Sequence, residues 1–208
     1  MTTIDSTQPG VHIADIDFDE FYSPAFGTKE EAETFHRELQ NLSPPDNAPM
    51  VTYHQAARMI WLGDQIETVA RGRPAFQILF LIVAAELVAK MVYNFTGEGK
   101  SGEYVHRFFD EICAPAHRQL LANAFFRPEG SLTSDEAVTL LYKVRCDVVH
   151  RGQYYALALR MGQYPMMTGI DNISTNITLG DLRRIVLEGA VLGCRRMLQE
   201  RRPSKAAP

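Results

Sequence analysis

Residues 74–95 read PAFQILFLIVAAELVAKMVYNF, the most apolar run in the chain. At 1.5 Å per residue such a helix would be about 33 Å long, enough to cross a bilayer. Gln77, Glu86, Lys90 and Asn94 interrupt it, however. An ionised side chain near the bilayer centre costs about 3 kcal/mol, and two of them four residues apart make a poor span. The stretch therefore reads as the central helix of a bundle, with no membrane segment. Glu86 and Lys90 are placed at i,i+4 to pair along it.

A helix that is apolar on all sides needs neighbours on all sides, and the flanking sequence supplies them. Thr28 and Glu31 have capping-box spacing and open a helix that Ser43-Pro44-Pro45-Asp46 ends. Residues 51–71 carry an apolar face of Ala57, Ile60, Trp61, Ile66 and Val69. After the loop GEGKSG, residues 103–123 read as a helix broken at Pro115. That loop lacks the first Gly of a phosphate-binding loop and follows no strand, so it is read as a connection. Arg127-Pro128-Glu129-Gly130 is a turn, and Thr133 with Glu136 caps the next helix. A closing helix spans residues 181–202, where Gly189 and Gly193 either allow close helix approach or simply cost helix propensity, and the basic end suits a helix C-terminus. The fold class is mainly α, a bundle of five to six helices, in one domain over residues 28–208.

Two stretches depart from the helical period. Residues 11–21 alternate, with Asp15, Asp17 and Asp19 on one side and Ile16 and Phe18 on the other. That period of two predicts a strand or extended arm within residues 1–27. The three aspartates lack the Gly and Glu an EF-hand loop needs, so they read as a solvated acidic face. Residues 153–170, rich in aromatic and apolar side chains, fit a small β-hairpin.

Composition narrows the functional classes. The 208 residues suit one domain with a real core, and 46% hydrophobic with 22% charged residues is ordinary for a globular protein. A formal net charge of −4 gives no global attraction to nucleic acid, so any RNA site must be a local basic patch. Cys113, Cys146 and Cys194 are odd in number and widely spaced, which argues against disulfides and zinc and suits the cytoplasm. His106, Asp110 and His117 lack zinc-motif spacing, so neither metal nor cofactor is expected.

Chemistry concentrates in residues 140–155, LLYKVRCDVVHRGQYY. The helix here stops at Gly152, a left-handed C-terminal stop. Ala137, Leu141, Val144 and Val148 form one apolar stripe. Val138, Tyr142, Cys146 and Val149 form a second, flanked by Arg145 and His150 about 140° apart. A helix with two apolar faces has two neighbours, and the second is expected to be another copy of the chain.

Arg145 and His150 form an R-x4-H motif late in a helix and just before glycine. In this, over residues 53–155, the chain resembles the HEPN superfamily of small helical bundles. The resemblance implies either a metal-independent RNase that dimerises to join two such motifs, or a non-catalytic binding and oligomerisation module. It further implies a homodimer through the motif helix, RNA as a partner, and a toxin–antitoxin, defence or stress setting with a protein antitoxin or regulator. Arg145 and His150 would be catalytic. An acidic residue on an earlier helix, here Glu86, would orient Arg145. The family often has Asn, Asp or His after the arginine; this chain has Cys146, with Asp147 one place later. A family variant, R-x4-H-x-Y, has Gly152 at the tyrosine position here.

The residue types fit cleavage of RNA without metal. An imidazole titrates near neutral pH and can move the 2′-hydroxyl proton. A guanidinium fork matches phosphate oxygens. Asp147 is expected to orient His150, Arg151 to add a phosphate contact, and Tyr142, Tyr154 and Tyr155 to stack bases.

Overall fold

Helix α4, Pro74–Val92, lies at the centre, packed by α3 (Ala48–Val69), α5 (Ser101–Arg107), α7 (Ser134–Arg151) and α8 (Leu179–Arg201). The computed structural model describes residues 16–44, 46–153 and 173–201. Pro74 takes the first helical position, where its missing N–H costs nothing. Ala75, Ile78, Leu81, Ile82, Ala84, Ala85, Val88 and Ala89 are buried, and so are Gln77 and Glu86. Although α4 is long and apolar enough to cross a membrane, it is the core helix of this bundle.

Small residues set the close crossings. A Cβ built on Gly193 of α8 would lie 2.5 Å from Val88 Cγ1, and one on Gly63 of α3 would lie 3.3 Å from Phe80 Cβ. Of the two readings of Gly189 and Gly193, close approach is the one present, since a Cβ on Gly189 would also lie 2.5 Å from Phe108 Cζ.

The N-terminal stretch is corrected from residue 16 onward. Asp17 is the cap of a helix, α1 (Phe18–Phe26), and accepts from the N–H groups of Asp19 and Glu20 at 3.1 Å. Asp19 and Glu20 then sit in the first turn, where the helix dipole favours anions. Tyr22 anchors α1 by stacking on Tyr53 at 3.9 Å and donating to the Tyr53 carbonyl at 2.9 Å. Residues 1–15 lie outside the described residues. Next comes α2 (Lys29–Gln40), capped by Thr28 as its spacing indicates.

Eight α-helices appear among the described residues, more than the expected five to six. One extra is α1. The other arises because the helix expected over 103–123 is three pieces: α5, a π-helical turn (Phe108–Ile112) and α6 (Pro115–Ala122). Cys113 and Ala114 are extended between them.

The predicted turn at residues 127–130 joins two short strands. β1 (Phe125–Arg127) pairs antiparallel with β2 (Gly130–Ser131), Phe126 opposite Ser131. β3 (Ser174–Thr175) pairs on the other edge of β1, Phe125 opposite Thr175. The hairpin expected over residues 153–170 falls almost wholly outside the described residues.

Thr133 and Glu136 close a full capping box on α7, and Gly152 ends it at φ 63°. Along α7, Ala137, Val138, Leu140, Leu141 and Val144 are buried.

Candidate functional site

The described residues of the motif region lie on α7 and on the facing parts of α4 and α5. Glu86, buried on α4, is the hub. Its Oε1 meets Lys90 Nζ at 2.6 Å and accepts from the Ser101 hydroxyl at 2.7 Å, while its Oε2 lies 3.7 Å from Arg145 Nη2. Both pairings expected of Glu86, along α4 and across to Arg145, are present. No spacing in the chain points to Ser101, which only the fold brings beside Glu86.

Arg145 is held loosely. Its contact to Glu86 is beyond hydrogen-bond reach, and among the described residues its guanidinium donates no hydrogen bond. Its Nε is buried without a partner. The guanidinium also lies 5.8 Å from the centre of the Tyr142 ring. That ring covers Gly102 on α5, where a built Cβ would come within 3.2 Å of Tyr142 Cε1. Burial first, then a hydrogen bond with Cys146, raises the Tyr142 hydroxyl above its ordinary pKa.

The second apolar stripe has two fates. Val138 is fully buried by the chain itself, and Tyr142 and Cys146 are half-buried. Only Val149, at 51% exposure, stands open. The expectation that another copy covers the whole stripe is corrected to that extent: α5 and α6 already pack on α7.

Asp147 is buried, and its carboxylate meets Arg151 Nη1 at 3.1 Å. Its carbonyl accepts from Gly152 and Gln153, closing the helix end. Asp147 thus serves Arg151 and the cap, and no bond links it to His150 among the described residues. His150 is exposed, one residue past Val149. Among the described residues no hydrogen bond joins Arg145 to His150. Tyr154 and Tyr155 lie outside the described residues.

Cavities of about 710, 330 and 160 Å³ lie between α2 and α8, between α3, α4 and α8, and beside β1 on α7. None is lined by Arg145 or His150, but Lys143 reaches the third.

His106, Asp110 and Asp135 present ligand-type atoms within 4.8 Å of one another. The sequence hid this group because Asp135 comes from α7. His106 Nδ1 already meets Asp135 at 2.9 Å, and Nε2 meets the Thr139 hydroxyl at 3.3 Å. Burial raises the Asp110 carboxyl above its ordinary value. His117 is elsewhere, 2.7 Å from Glu188.

Comparison with protein-family models, curated proteins and solved structures gives no match.

Proposed function

We propose that the chain is a HEPN-like, metal-independent endoribonuclease that acts on RNA as a homodimer, in a toxin, defence or stress setting. The observation that carries this reading is the state of Arg145. Its guanidinium meets Glu86 only at 3.7 Å and stays partly exposed, which supports donation from its open edge to a phosphate. His150 stands five residues on, open to solvent. Within one chain the two do not meet, so a second copy must complete the cleft, which exposed Val149 favours.

In this reading His150 takes the proton of a ribose 2′-hydroxyl. The 2′-oxygen attacks phosphorus, the 5′-oxygen leaves and receives a proton, and a 2′,3′-cyclic phosphate remains. Arg145 neutralises charge on the pentavalent phosphorus. Lys143 and Arg151, both exposed, supply local positive charge on a chain of net charge −4.

A second reading, a non-catalytic binding and oligomerisation module, is favoured by the approach of Glu86 to Arg145. Cleavage of single-stranded RNA by Arg145→Ala and His150→Ala separates the two. Each should slow cleavage about a hundred- to a thousandfold, or about 2.7–4 kcal/mol in the barrier, with the fold kept and EDTA without effect on the wild-type rate. A folded wild-type dimer that cleaves no RNA, or variants as active as wild type, would sink the enzyme reading.

A further inference from the structure

Among the described residues, three groups of histidine and carboxylate lie away from α7's R-x4-H motif. His106 and His117 each meet a single carboxylate, at Asp135 and Glu188. The third group brings two imidazoles together. Asp19 of α1, His36 and Gln40 of α2, and His54 of α3 converge where these helices meet. Asp19 Oδ1 lies 2.7 Å from His36 Nδ1. A carboxylate only accepts, so Nδ1 carries the proton, and on a neutral ring Nε2 is left with a lone pair. That Nε2 faces His54 Nε2 at 2.9 Å and the Gln40 amide at 3.3 Å.

Two facing imidazole nitrogens and an amide are also the donor set of a cation. A half-turn of the Gln40 amide brings its oxygen inward without moving the rest of the side chain. Four ligands at about 2.05 Å from a tetrahedral ion lie about 3.3 Å from one another. The 3.3 Å separation matches that edge, and the 2.9 Å one, now a hydrogen bond between the two rings, must open by about 0.4 Å to meet it. A carboxylate behind a ligating imidazole, as Asp19 is behind His36, fixes the ring and strengthens it as a donor. The rings are also fixed by packing: Phe18 stacks on His54 at 4.1 Å and meets His36 edge-on at 5.7 Å.

We propose that His36 Nε2, His54 Nε2 and the Gln40 side-chain oxygen bind a divalent transition metal of the zinc type. Asp19 orients His36, and water takes the fourth place. Imidazole donors favour such ions over magnesium or calcium. His36 is buried while Gln40 is exposed, which leaves one side open to solvent. The ion would clasp α1 to α2 and α3. None of its residues belongs to α4 or α7, so the site is independent of the RNase reading.

The test is calorimetric titration of the chelator-stripped full chain with Zn²⁺, alongside the visible spectrum with Co²⁺. One Zn²⁺ per chain, a raised melting temperature and four-coordinate Co²⁺ bands are expected. His54→Phe keeps the stack on Phe18 and should abolish binding. Asp19→Asn should weaken it about 10–100-fold, and His106→Phe should leave it unchanged. Should His54→Phe fail to fold, Gln40→Ala at the exposed position decides, with weaker binding supporting the site. No Zn²⁺ binding, binding that survives His54→Phe or Gln40→Ala, or binding lost in His106→Phe overturns the proposal.

Discussion

At Gly189 a missing side chain sets how closely α8 can approach the π-helical turn. A Cβ there would fall 2.5 Å from Phe108 Cζ and 2.9 Å from Cys113 Sγ, both in the buried core. Two effects oppose each other in Gly189→Ala. Alanine gains about 1 kcal/mol in helix propensity. Overpacking a filled core costs about 1–3 kcal/mol. Both the Phe108 ring and the thiol are buried, so the clash should win and denaturant unfolding should show a less stable variant. A more stable variant would mean that the π turn yields. Single residues also show where sequence reading ends. The i,i+4 spacing of Glu86 and Lys90 was legible, because it is local. The contacts of Glu86 with Ser101 and Arg145 were not legible as geometry, because they cross from α4 to α5 and α7. Asp147 faced a local choice between His150 at i+3 and Arg151 at i+4, and the second took it.

At the scale of the element, caps were the most readable feature, since they are written within four residues. Thr28, Thr133 and Gly152 all hold the positions their spacing indicates. The alternation in residues 16–21 misled for a related reason: Asp17 is a strong cap, and six residues of period two could not compete with it. β1, β2 and β3 have two or three residues each, too short for any period to show. The box on α7 gives a pH-dependent prediction. Thr133→Ala removes the hydroxyl but keeps the backbone N–H that Glu136 accepts from at 2.9 Å. It should cost about 1 kcal/mol near neutral pH. The Thr133 backbone N–H first, then its hydroxyl, hold the Glu136 carboxyl below its ordinary value. A lowered carboxyl stabilises the fold above the ordinary glutamate range, and that contribution is lost as pH falls through the lowered value. The gap between wild type and Thr133→Ala should therefore narrow in acid. Thermal unfolding of both proteins from pH 7 to pH 3 measures it, and a gap that widens would count against the box.

At the scale of the whole molecule, the proposed dimer needs a seam that brings two R-x4-H motifs together. The sequence offered a seam of four residues, but Val138 is spent within the chain and α5 covers part of Tyr142. What remains is the last turn of α7, with Val149 half exposed beside His150. One valine gains about 1.5–3 kcal/mol when fully buried, too little to hold two chains together alone. A seam there must recruit neighbouring surface, yet with two-fold symmetry each Val149 sits in the same patch as its copy. A charge at that place is then buried twice, and the two carboxylates repel each other. Val149→Glu should leave the monomer fold intact, because the position is solvent-facing within the chain and already helical. It should convert the proposed dimer to a monomer in light scattering at micromolar concentration. RNA cleavage should fall with it, although Arg145 and His150 are both untouched. A variant that remains dimeric and active would place the seam away from this turn. A variant that is monomeric yet fully active would show that one chain carries the whole site, against the separation of Arg145 and His150 described above.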